Sequence, residues 1–60
     1  GRRKMKRGTT VRLKDHCHLS WIPAGVLIAD VEFGFCEVLF CTGEVINCLA
    51  TNLIVLHEAN

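Results

Sequence analysis

Sixty residues with a net charge of +1 and 50% hydrophobic content make one domain, with no room for a second. No apolar stretch reaches the roughly 18 residues of a membrane span, because Asp30, Glu32, Glu37 and Glu44 interrupt it, and the basic start is not followed by the apolar core of a secretory signal. The charge is unevenly spread: Arg2, Arg3, Lys4, Lys6 and Arg7 crowd the start, whereas the rest sets Arg12 and Lys14 against Asp15, Asp30, Glu32, Glu37, Glu44 and Glu58.

In chain order, residues 1–8 read as a disordered basic tail and 9–60 as the folded body. Thr9 to Lys14 alternate in polarity, with Thr9, Val11 and Leu13 on one side, which predicts a half-buried strand. Asp15 to Pro23 breaks the pattern and forms the longest irregular stretch. Gly25 to Glu32, Phe35 to Cys41 and Glu44 to Ala50 are expected as three further strands, linked by turns at Phe33-Gly34 and Thr42-Gly43. Thr51-Asn52-Leu53 reads as a single helical turn, followed by a last strand from Ile54 to Glu58.

A tight hairpin at Thr42-Gly43 pairs Phe40 with Val45, Val38 with Asn47 and Cys36 with Leu49. One at Phe33-Gly34 pairs Val31 with Cys36, Ala29 with Val38 and Leu27 with Phe40. Both put Leu27, Ala29, Val31, Cys36, Val38, Phe40, Val45 and Leu49 on one uncharged face, the expected core. The opposite face then carries Ile28, Leu39 and Ile46 in line across three strands, flanked by Val26 and Cys48, with Asp30 opposite Glu37 as a like-charge pair.

The order of strand, long loop, strand, turn, strand, hairpin, strand, helical turn, strand resembles an SH3-like barrel over residues 8–58. Arg7-Gly8-Thr9-Thr10-Val11-Arg12-Leu13-Lys14 looks like the first strand of many such proteins, and Ala50-Thr51-Asn52-Leu53-Ile54-Val55-Leu56 resembles their helical turn and last strand. The resemblance implies an all-β, five-stranded barrel of a kind common among small phage and mobile-element proteins. It does not extend to the tyrosine-rich groove of peptide-binding SH3 domains, since the chain has no Tyr. Tudor-like aromatic cages would have only Trp21, Phe33 and Phe35 to draw on. Type II dihydrofolate reductases share the barrel, but their Val-Gln-Ile-Tyr motif is replaced by Val45-Ile46-Asn47-Cys48. The small stromal subunit of photosystem I is similar at Arg7-Gly8 and Thr51-Asn52, and the middle of the chain departs from it.

Four cysteines invite a disulfide framework. Cys36 and Cys41, on one predicted strand, lie about 16 Å apart and point to opposite faces, too far to bridge. Reduced thiols and a cytoplasmic setting follow. His16-Cys17-His18 is the most chemical-looking cluster. An extended loop would point the two imidazoles one way and the thiol the other, and a zinc site needs a second ligand pair, for which His57 and the strand cysteines are the candidates. No catalytic arrangement is legible, so no enzyme, cofactor or metal is expected.

The expectation is a non-catalytic binding module acting through protein–protein contacts, as a homo-oligomer or a subunit of a larger assembly. Its interface would be Val26, Ile28, Leu39 and Ile46, with Trp21 and Ile22 as loop anchors. The first alternative is a nucleic-acid-binding protein using Arg2, Arg3, Lys4, Lys6 and Arg7 with Arg12 and Lys14. The second is a small enzyme or metal site at the His-Cys-His loop.

Overall fold

The computed structural model describes residues 5–60. They form one five-stranded antiparallel sheet: β1 (Thr10–Leu13), β2 (Gly25–Leu27), β3 (Phe35–Phe40), β4 (Val45–Leu49) and β5 (Leu53–His57), with a single 3-10 turn at Ala50–Asn52 before the last strand. The spatial order is β4-β3-β2-β1-β5, so consecutive strands are neighbours except that β5 returns to β1. The expected closure into a barrel is not made by strand pairing, because β4 and β5 stand as the two edges. The long loop lies at this opening. Cys17, His18 and Leu19 line a groove there with Asn47, Cys48 and Leu49 of β4, and Leu13, Phe35 and Asn52 complete it.

In β1 the alternation is as the residues predict. Thr9, Val11 and Leu13 are buried, and Thr10 and Arg12 are half-buried. The rest of the core comes from Ile22, Leu27, Cys36, Val38, Phe40, Cys48 and Leu53, with Met5, Cys17, Leu19, Val31, Ile46 and Ala50 packed around it. Full burial of a side chain the size of Phe40 or Ile22 contributes about 1.5–3 kcal/mol. Among the described residues the one buried polar side chain, Thr9, is satisfied: its Oγ1 accepts the Ala59 N–H at 3.3 Å.

Both hairpins differ from the expected register. At Phe33-Gly34 the turn is the expected two-residue one. Glu32 and Phe35 exchange backbone hydrogen bonds of 3.1 and 2.8 Å, and Phe33 and Gly34 have φ of 52° and 79°. Beyond the turn the chain leaves the ladder, and pairing resumes at Ile28, whose N–H donates to the Glu37 carbonyl at 3.1 Å. Leu27 therefore faces Val38, not Phe40. The slip is by two, so Leu27, Cys36, Val38 and Phe40 keep their inward face, as a period of two requires. β2 ends at Leu27 instead of Glu32, and the predicted Asp30–Glu37 pair does not form across the strands.

The second hairpin slips by one. Gly43 has φ 92°, its N–H donates to the Phe40 carbonyl at 2.9 Å, and the Phe40 N–H donates to the Glu44 carbonyl at 2.9 Å. This is a three-residue loop, Cys41-Thr42-Gly43, with a glycine bulge. Leu39, not Phe40, now faces Val45, Val38 faces Ile46 and Cys36 faces Cys48. A shift of one residue exchanges the faces of β4. Cys48 is buried and Ile46 packs on the core, while Val45 and Leu49, expected inside, are exposed.

The chain before β1 also differs. Residues 1–4 of the predicted tail lie outside the described residues. Met5 to Gly8 run beside the segment that leaves β2: the Gly8 N–H donates to the Leu27 carbonyl at 2.7 Å, and the Arg7 N–H to Asp30 Oδ1 at 2.9 Å. Met5 packs against the core. The Val31 N–H also donates to the Met5 carbonyl at 3.5 Å, so both backbone bonds and an apolar side chain hold this segment on the body.

Gly25 opens β2 opposite Phe40 of β3. A Cβ there would lie 2.6 Å from Val38 Cγ1 and 2.9 Å from Phe40 Cδ1, both in the core. Gly25→Ala is expected to lower unfolding free energy by about 1–3 kcal/mol, as overpacking does, read as a lower urea midpoint at unchanged slope.

Candidate functional site

The solvent side of β2, β3 and β4 carries the residues that matter. β3 alternates strictly, with Cys36, Val38 and Phe40 inside and Phe35, Glu37 and Leu39 outside. The register then builds three outward rows. Val26, Leu39 and Val45 are direct cross-strand partners, Glu37 faces Asn47, and Phe35 faces Leu49. Ile28 flanks the middle row through its hydrogen bond to Glu37. The face is thus apolar at both ends and polar in its centre. Leu39 is 37% exposed and Val45 53%.

Of the six residues expected to form an interface, Val26, Ile28 and Leu39 share this face. Ile46 does not: the three-residue loop turns it inward, and Val45 takes its place beside Leu39. The two loop anchors separate as well. Trp21 is 69% exposed, while Ile22 is 1% exposed and belongs to the core. Val45, Leu49 and Phe35 were not foreseen as part of this face. Asn47 carried the signal: a register that puts Val45 and Leu49 inside also buries that amide, which costs free energy unless it is hydrogen-bonded.

Beside the face lies a concave site of about 380 Å³, lined by Ala29, Asp30, Glu32, Phe33, Phe35, Glu37 and Asn47. It forms where residues 29–33 curl over the outer side of β3 and β4. Phe33 stands at the tip, 97% exposed. Its φ of 52° is left-handed, a conformation that costs roughly 1–2 kcal/mol for a side chain with a Cβ. Asn, Asp or Gly would suit that turn position.

The basic residues are placed apart. Lys6 and Arg7 are exposed, and Arg7 borders Ile28, Ala29, Asp30 and Glu32. Arg12 Nη1 pairs with Asp15 Oδ1 at 3.3 Å. Lys14 is half-buried, its N–H donating to the Asn52 carbonyl at 2.9 Å. Arg2, Arg3 and Lys4 lie outside the described residues.

The His-Cys-His loop is not extended. Successive turns, with the Cys17 N–H on the Lys14 carbonyl at 2.9 Å and the Ser20 N–H on the Cys17 carbonyl at 3.1 Å, fold it back. Cys17 is half-buried, and His16 Nε2 lies 3.7 Å from its Sγ. The two neighbours therefore meet instead of pointing apart. A thiol–imidazole contact supplies a nucleophile and a base, but acyl transfer also needs oxyanion donors. Among the described residues no three His, Cys, Asp or Glu side chains are grouped to hold a metal ion.

All four thiols are free. Burial pushes the Cys36 thiol up, with its cross-strand neighbour Cys48 adding to it. Burial likewise pushes Cys48 up, helped by Cys17. Both stay protonated, and the stability they contribute is complete below the ordinary thiol range and is lost as pH rises through their folded values.

Comparison with protein-family models, with curated proteins and with solved structures found no match.

In a timed reaction with an aromatic disulfide reagent, exposed Cys41 is expected to react at once, Cys17 more slowly, and Cys36 and Cys48 only on unfolding. Prompt reaction of Cys48 would contradict the inward facing of β4.

Proposed function

We propose that the protein is a non-catalytic binding module that works by protein–protein contact through the outer face of β2, β3 and β4, as a homo-oligomer or as a subunit of a larger assembly. One observation carries this reading: Val26, Leu39 and Val45 form a continuous apolar row on the solvent side, with Phe35 and Leu49 a second apolar pair beyond Glu37 and Asn47. A sheet with one face on the core normally turns polar residues to water on the other. Exposed apolar groups gathered in rows, instead of scattered singly, mark interaction sites. Exposed Trp21 adds a further anchor of the kind that dominates interface affinity.

The strand order β4-β3-β2-β1-β5, with a 3-10 turn before the last strand, supports an SH3-like architecture whose barrel is left open between β4 and β5. The small size strengthens the case for a partner. A core of this extent leaves stability marginal, and association is one usual remedy.

Sedimentation velocity at micromolar concentration is expected to show a dimer or larger species. Leu39→Lys places a charge in the centre of the row and is expected to give a monomer whose melting temperature changes little, since Leu39 lies outside the core. A strict monomer for the unaltered chain, with Leu39→Lys indistinguishable from it, would remove self-association.

A further inference from the structure

The groove under the Phe33-Gly34 turn has a composition unlike the apolar rows beside it. Two phenylalanines, Phe33 and Phe35, border a cavity of about 380 Å³ that also carries Asp30, Glu32, Glu37 and the Asn47 amide. Phe33 is the odd member. It fills no part of the core, at 97% exposed, and it sits at a φ that suits Asn or Gly. No packing gain within the chain explains an aromatic ring there. Across the groove Phe35 is half-exposed, on the outer side of β3. Among the described residues the charges lining this groove are all negative, and Asp30 accepts only the Arg7 backbone N–H. Arg7 borders the neighbouring hollow, with Asp30 and Glu32, and not this one.

We propose that this groove receives a lysine- or arginine-bearing peptide segment of a partner protein, with the rings of Phe33 and Phe35 against the cationic side chain and Asp30, Glu32 and Glu37 supplying its counter-charge. The chemistry selects that occupant. An anionic segment meets three carboxylates, and a purely apolar one leaves them unpaired on closure. A cation is attracted by an aromatic face within about 6 Å and by carboxylates together. Asn47, with both a donor and an acceptor on its amide, can hold the peptide backbone beside the bound side chain. The inference deepens the binding-module reading by naming a partner chemistry, and it uses a groove separate from the Val26–Leu39–Val45 row.

The test uses the full chain and a fluorescein-labelled octalysine peptide, followed by anisotropy at low salt, with octaglutamine as the uncharged control. Octalysine is expected to bind and octaglutamine not, with affinity falling as salt rises. Phe33→Ala keeps every charge and is expected to weaken binding about two- to fivefold. The double variant Glu32→Gln with Glu37→Gln is expected to weaken it further and to flatten the salt dependence. Phe33→Asn relieves the backbone and is expected to raise the melting temperature while binding weakens as for Phe33→Ala, so that loss of binding is not loss of fold. Equal affinity for the unaltered chain and both Phe33 variants would overturn the proposal, leaving only a diffuse acidic surface. So would failure of octalysine to bind better than octaglutamine. Sedimentation of the unaltered chain separates the two readings: self-association without octalysine binding fails the groove alone, and octalysine binding by a strict monomer fails the apolar row alone.

Discussion

Gly43 takes a left-handed backbone angle, and from that follows which side of β4 is dry. The bend at Cys41-Thr42-Gly43 closes with hydrogen bonds from Gly43 to Phe40 and from Phe40 to Glu44. One residue more than a two-residue turn inverts the strand that follows, because side chains alternate with a period of two. Ile46 and Cys48 join the core, Asn47 reaches water, and Val45 and Leu49 come out beside Leu39 and Phe35. Which residues β4 gives to each face, Val45 and Leu49 to the outer one, depends on this parity.

The core that results is small, and the chain extends it by unusual means. Ile22 enters from the long loop, and Met5 from the segment ahead of β1. Gly25 lets β2 approach β3 closely enough for Val38 and Phe40 to close over it. Cys36 and Cys48 meet across β3 and β4 as buried thiols and behave as small hydrophobes. With half its residues hydrophobic, the chain has more apolar side chains than this core admits. The surplus lies on the outer rows, at Trp21 and Phe33, and at Val55 and Leu56 of β5.

Two regions of the surface break local rules in different ways. The outer rows put apolar groups where water is, while their backbone is regular. The Phe33-Gly34 turn puts an aromatic ring at an angle meant for Asn or Gly, among carboxylates. Sites that conflict with local preference are where function is expected to outweigh stability. The first fits a flat apolar contact, and the second fits a single cationic side chain. One small sheet can carry both, since Phe35 lies at their border.

Much of this was legible from residue order. The alternation of β1 and β3, the 3-10 turn after β4, and the placement of Val26, Ile28 and Leu39 outside are local consequences of side-chain period and turn chemistry. Even the slip of two residues beyond Phe33-Gly34 left inward residues inward. Tertiary structure decided what local pattern leaves degenerate. Thr42-Gly43 suits a two- or a three-residue loop, and the choice rests on which face of β4 packs against Leu27 and Val38. After Ile28 the chain leaves β3, and Asp30 and Val31 instead receive or give hydrogen bonds with Arg7 and Met5, a competition between segments more than twenty positions apart. Ile22 is buried in the core while its neighbour Trp21 in the same loop is exposed, and nothing in the local sequence distinguishes the two.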